Sequence, residues 1–245
     1  MGGSHHLKRL PAPVYWPIHK KESQWTVKPK PGTHPAGRCF PLLLVLRDVL
    51  GLAKTKREAK SLISEKQIKV DGRFVPEYDF PVGIMDVIEI PKMDKAYRVL
   101  PSSHAILTLH GIDGKERSFK LCKIVGKTSI KGGRLQLNLH DGRSILIKRP
   151  EETKQRYDTS DVLRVSLPKA KILGQVKLRK GVPAIVTGGK NIGIVGKVLE
   201  IKEEKEGQQK IVTLDSAGGQ KLKTIIEYAF AVGEEEPWIS LPEGS

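Results

Sequence analysis

At 245 residues, with 38% hydrophobic but only 5% aromatic residues, the chain suits two or three small modules packed on Val, Ile and Leu better than one large enzyme core. Its 43 Lys+Arg against 27 Asp+Glu leave a net charge of +16, which opposes compaction unless a polyanion neutralises it, and nucleic-acid phosphate is the commonest such partner. Cys39 and Cys122 are too few and too far apart for a disulfide framework or a zinc knuckle, and no apolar run is long enough to span a membrane or serve as a signal peptide, so the expected location is the cytoplasm.

The charge is unevenly spread. Residues 1–40 hold seven Lys+Arg and one acid, and residues 106–175 hold fifteen and seven, whereas residues 176–245 balance at ten and ten. Residues 1–40 also carry six prolines and no apolar periodicity, and Lys28-Pro29-Lys30-Pro31-Gly32 cannot form regular structure. With Tyr15, Trp16 and Trp25 interleaved among the bases, this segment reads as an extended basic arm that orders only on its partner. Its rings would stack on nucleobases while His5, His6, Lys8, Arg9, Lys20 and Lys21 meet phosphates.

Residues 41–104 read as a small α+β module. Leu42, Leu43, Leu46, Val49 and Leu50 recur at helical spacing and Gly51 closes the helix. Thr55 and Glu58 form a capping box opening a second helix, whose apolar face is Ala59, Leu62 and Ile63 and whose other face carries Lys56, Arg57 and Lys60. Asp71-Gly72 predicts a type I′ hairpin turn, and Val87, Ile88 and Ile90 a closing strand.

Residues 105–175 read as an all-β, barrel-like domain. Leu135, Leu137 and Leu139 alternate with polar residues, Asp141-Gly142 turns into Ile145 and Ile147, and Val162 to Leu167 form a further strand. Residues 176–233 contain short strands again, with Gly188-Gly189-Lys190-Asn191-Ile192-Gly193 in the first turn. The acidic 234–245 reads as an extended end from which Trp238 docks back onto the fold. The fold class is therefore mixed: one α+β module, two all-β modules and a basic arm.

Enzyme signatures fail on inspection. Gly126-Lys127-Thr128 imitates the end of a phosphate-binding loop, but Leu121 stands where that loop needs its first glycine, and Asn191 breaks the similar run at Gly188. Gly133-Arg134-Leu135-Gln136 is similar to a pseudouridine synthase segment whose catalytic carboxylate Gln136 cannot supply. The reading is a non-enzyme with no cofactor, metal or small-molecule substrate. The alternative is an RNA-binding translation or transcription factor that acts transiently.

Six stretches in order along the chain carry a resemblance. They are His6-Leu7-Lys8-Arg9-Leu10 followed by Ala12-Pro13 and Trp16; Pro41-Leu42-Leu43-Leu44-Val45-Leu46-Arg47 through Lys69-Val70-Asp71-Gly72; Pro81-Val82-Gly83-Ile84-Met85-Asp86-Val87-Ile88; Phe119-Lys120-Leu121-Cys122-Lys123; Val186 to Gly193; and Pro237-Trp238-Ile239-Ser240-Leu241-Pro242. Together they resemble the archaeal and eukaryotic small-subunit ribosomal protein family S4e. The archaeal type is expected, because eukaryotic members run on with a basic tail. The resemblance implies a helix-pair RNA-binding domain over 41–104, a central β domain over 105–175 and a KOW-type, SH3-like barrel over 176–233. It also implies contact with small-subunit ribosomal RNA and neighbouring small-subunit ribosomal proteins. By resemblance the second helix and the loop after it form the RNA face, which selects Arg47, Lys54, Lys56, Arg57, Lys60, Lys66 and Lys69. Arg57 is the best single candidate, because a guanidinium bridges two phosphates where a lysine is a point charge.

Overall fold

The computed structural model describes residues 6–103, 106–147, 156–202, 209–216 and 219–242. Among these the chain is mostly β, with three five-stranded antiparallel sheets and a single regular α-helix of nine residues, Lys56–Ser64. No helix among the described residues is long and apolar enough to cross a membrane.

The amino-terminal segment corrects the sequence expectation. Read as an extended arm ordering only on a partner, residues 6–40 instead fold back onto the body. Leu7–Lys8 pairs antiparallel with Trp25–Thr26. Trp16 is buried beside Ala12 in the same apolar cluster as Leu42 to Leu46, its Nε1 donating to the Cys39 carbonyl at 2.9 Å, and Tyr15 Oη donates to the same carbonyl at 3.0 Å. Sparse large rings anchor where periodicity is missing: a tryptophan buries roughly 150–250 Å² by itself and needs no regular element to do so.

The first helical stretch also differs from its reading. Leu42–Leu44 is one α-turn, which widens into a π-turn over Val45–Val49, with Leu50 N donating to Val45 O at 2.9 Å. Leu42 through Leu46 are all fully buried, so the stretch is covered on every side by the folded-back segment, the second helix and the sheet. An all-round burial leaves no amphipathic stripe to find. The second helix matches its cap reading: Thr55 Oγ1 accepts from Glu58 N at 3.2 Å, while the Glu58 carboxylate accepts from Lys54 N at 2.8 Å.

The first five-stranded sheet runs Arg73–Phe74, Lys69–Val70, Val87–Ile90, Lys95–Leu100, Thr108–Gly111. Asp71 and Gly72 both have positive φ, 51° and 73°, as a type I′ turn requires. Thr108–Gly111 lies past residue 104, so this sheet crosses the expected boundary at that point; Pro101-Ser102-Ser103 belongs to a hairpin loop between two of its strands.

In the second sheet the order is Ser144–Ile147, Arg134–Leu139, Phe119–Ile130, Val162–Ser166, Ile172–Val176. The twelve-residue strand Phe119–Ile130 carries a register shift between Ile124 and Gly126, so its first half pairs with Val162–Ser166 and its second half with Arg134–Leu139. The Asp141-Gly142 connection is not a two-residue turn. Asn138 pairs with Ser144, and Asp141 Oδ1 accepts from Arg143 N at 3.2 Å, a side-chain closure that spares Asp141 a positive φ.

The third sheet runs Lys221–Ile225, Ile211–Ser216, Val195–Lys202, Pro183–Val186, Ala229–Ala231. It packs on the rest of the molecule at Gly193, φ 82°, where a Cβ would sit 2.2 Å from the Ser102 carbonyl carbon. Only glycine allows that approach. Trp238 docks back as read, with the Arg164 guanidinium 5.7 Å from its ring centroid, and Ser240 Oγ donates to Glu116 Oε1 at 2.7 Å.

Candidate nucleic-acid interface

The nine-residue helix Lys56–Ser64 divides its surface sharply. At about 100° per residue, Ala59 and Ile63 point into the core while Arg57, Ser61 and Ser64 point to solvent, with Lys56 and Lys60 along one flank. The two flanking ammonium groups lie 4.7 and 4.3 Å from the same ring centroid, that of Tyr78. Tyr78 is a residue the sequence reading missed; the available signal was a tyrosine in the loop after the first hairpin. Lys54, Arg57 and Lys66 are exposed and make no ion pair among the described residues. Lys66 has φ 55° just past the helix end, and Lys69 sits half-buried 5.1 Å over the exposed Phe74 ring.

Arg47 does not join this group as a free charge. Its Nε and Nη2 each lie 3.0 Å from Asp48 carboxylate oxygens, so the pair is already neutral. On the folded-back segment, His6 meets Trp25 edge-on at 5.5 Å and Lys8 Nζ lies 5.6 Å over the same ring, while Lys20 and Lys21 are exposed. His5 lies outside the described residues. Arg9 corrects its reading as a phosphate contact: it is buried, and its Nε donates to the Ile18 carbonyl at 3.0 Å, joined by Nη2 on the same oxygen.

A second set of charged side chains went unselected in the sequence, and it is buried. Lys120 Nζ lies 3.0 Å from Asp71 and 3.1 Å from Asp141, and also bonds Asp86. His34 Nε2 meets Asp86 at 3.0 Å, and Arg143 reaches both Asp71 and Asp141. Asp86 further accepts from Gly83 N at 2.8 Å, and Gly83 must be glycine because a Cβ would overlap the His34 ring. Burial pushes the Asp86 carboxyl up, but Lys120 and His34 override it and hold that group well below the usual carboxylate range. Burial likewise opposes the Lys120 ammonium, and its aspartates raise it well above an ordinary lysine.

Three residues further along the strand, Lys123 Nζ bonds the carbonyls of Ile226, Glu227 and Ala229 at 2.7, 2.9 and 2.7 Å, tying the central sheet to the carboxy-terminal one. Burial lowers its pKa to about 8. The Phe119-Lys120-Leu121-Cys122-Lys123 stretch thus supplies two inter-sheet locks from one strand.

Cys122, His140 and Asp141 bring ligand atoms within 4.8 Å of one another, a spacing a metal ion can use. The Lys120 ammonium already sits on Asp141 where a cation would bind, and its charge opposes a second one there. His140 Nδ1 accepts from Lys123 N at 3.2 Å and Nε2 donates to the Ile84 carbonyl at 3.3 Å, so both ring nitrogens are engaged. Burial pushes the Cys122 thiol up, away from the nucleophilic thiolate. Chemically this is a structural clamp, whereas the cations on the helix Lys56–Ser64 and at its ends stay exposed.

Comparison with known proteins places these features in a lineage. A family model described as Ribosomal family S4e matches residues 93–172, an RS4NT (NUC023) domain matches 1–37 and an S4 domain matches 41–88. The small ribosomal subunit protein eS4 of Desulfurococcus amylolyticus is 50% identical over 248 residues, covering 100% of this chain and 98% of that one. Its counterpart in Methanothermobacter thermautotrophicus is 43% identical with the same coverage. A crystal structure of the 30S ribosomal protein S4e from Thermoplasma acidophilum aligns with a TM-score of 0.66 at 35% identity, over 79% of this chain and 94% of that one.

Proposed function

We propose that this chain, which belongs to ribosomal family S4e, is a structural component of the small ribosomal subunit that holds ribosomal RNA mainly by phosphate neutralisation. One observation carries the placement of the contact. Lys54, Lys56, Arg57, Lys60 and Lys66 gather on one helix and its ends, exposed and outside any side-chain ion pair among the described residues, with the Glu58 carboxylate turned to the helix cap. Lys69 extends the set onto the next strand, and His6, Lys8, Lys20 and Lys21 form a second group on the amino-terminal segment.

Tyr78 supports this by holding two ammonium groups at one ring, where their mutual repulsion is relieved by an incoming phosphate. The modules are read as a helix-pair RNA-binding domain, a central β domain and a KOW-type barrel, the last with the Gly188–Gly193 turn between Pro183–Val186 and Val195–Lys202. The partners are small-subunit ribosomal RNA and adjoining ribosomal proteins in the cytoplasmic ribosome, with no catalysis and no cofactor.

Cosedimentation with small subunits tests the reading. The chain should remain on subunits washed in high salt, whereas a transient translation or transcription factor washes off. Release at the same salt as a known loosely bound factor would overturn the structural role.

A further inference from the structure

Leu10 and Val14 are the two most exposed large apolar side chains among the described residues, at 83% and 86%. They are not on a loose loop. Arg9 N donates to the Gln24 carbonyl at 3.1 Å and its guanidinium grips the Ile18 carbonyl, while Ala12 N, Trp16 N and Ile18 N donate to Arg9, Pro13 and Trp16 carbonyls. Ala12 and Trp16 point inward and are buried, which turns Leu10 and Val14 outward on a braced tip. Trp25, 49% exposed, stands directly across the ribbon from Lys8 and therefore on the same face.

We propose that Leu10, Val14 and Trp25 form a tip that packs against unpaired nucleobases of ribosomal RNA, with Lys8, Lys20 and Lys21 meeting the flanking phosphates. This rests on the ribosomal reading above and adds the chemical class of the contact. A braced tip that exposes apolar groups on a strongly basic segment, with Lys8 over Trp25, suits a ligand with an apolar face and negative charge close together. A nucleotide whose base is out of the stack offers both; a paired base hides its face. A protein groove that took Leu10 and Val14 would need an acidic rim as well. Residues 6–26 hold a single acid, Glu22, 3.9 Å from His19, so the segment cannot balance its own charge.

Photo-crosslinking in assembled particles tests the contact. Full-length chain carrying p-benzoylphenylalanine in place of Leu10, or in place of Val14, is incorporated into small subunits and irradiated. The expected product is a crosslink to RNA, with a primer-extension stop at an unpaired nucleotide. A crosslink to a ribosomal protein, or a stop within a paired helix, would overturn the proposal while leaving the ribosomal reading intact. Failure of the unsubstituted chain to enter particles would overturn both. A Leu10→Ser, Val14→Ser double variant should bind a small-subunit ribosomal RNA transcript about tenfold more weakly with an unchanged salt slope, since no phosphate contact is lost. Unchanged affinity would also overturn it.

Discussion

Lys120 and Arg57 stand for two opposite uses of positive charge in one chain. Around Lys120, three aspartates and an arginine set their charges against each other, His34 bonds one of the aspartates, and the group joins segments far apart in sequence. Around Arg57, the cations Lys54, Lys56 and Lys60 face solvent and join no ion pair among the described residues. The strand holding Lys120 sits in a strongly basic stretch, whereas the helix holding Arg57 lies in a nearly balanced one. Local charge excess therefore does not tell which cations stay exposed. What decides it is whether acids of the fold reach them first.

The largest expected effect comes from breaking the buried set. Lys120→Ala leaves Asp71, Asp86 and Asp141 short of their main countercharge and should destabilise by about 3–5 kcal/mol, read as a shift in urea midpoint at unchanged m-value. A loss below about 1 kcal/mol would mean Arg143 and His34 can carry the cluster alone.

Acid should weaken the same region through His140. Burial and then Lys120 lower its pKa from 6.5 to about 4, so between those values the unfolded chain binds a proton the folded chain refuses. Stability is therefore full above pH 6.5 and falls as pH drops towards 4, by roughly 3 kcal/mol at most. Asp86 and Asp141, both held low by Lys120, add a further loss once pH falls below the ordinary carboxylate range. Melting temperature against pH for the wild type and His140→Gln checks this: the decline between pH 6.5 and 4 should be much smaller in the variant.

Next in size is Arg57→Ala, which should weaken binding to a small-subunit ribosomal RNA fragment by about 1–3 kcal/mol and leave the melting temperature alone. If about six phosphates are neutralised, log affinity against log salt has a slope of about −4 to −5, and the variant should lower its magnitude by about one. The smallest effect belongs to Lys197→Ala, an exposed lysine of the charge-balanced third sheet, which should change neither stability nor slope. Both substitutions remove one positive charge. Equal losses from the two would mean that a diffuse field, and not the helix face, holds the RNA.

The sequence by itself determined whatever rests on near neighbours. The Thr55–Glu58 cap, the Asp71-Gly72 turn, the alternating strands after Leu135 and the exposed basic face of the second helix are set by interactions within a few residues, and each reads directly from the chain. Tertiary structure alone decided which charges remain available. Arg9 and Lys8 are adjacent, yet one grips the Ile18 carbonyl and the other faces solvent over Trp25. The amino-terminal segment looked unfoldable because its anchors, Ala12 and Trp16, bury against Leu42 to Leu46, some thirty residues away. The buried cluster draws on Asp71, Asp86, Lys120 and Asp141, a span that no local pattern marks. A charge is cancelled by the nearest acid in space, and only the folded chain fixes which acid that is.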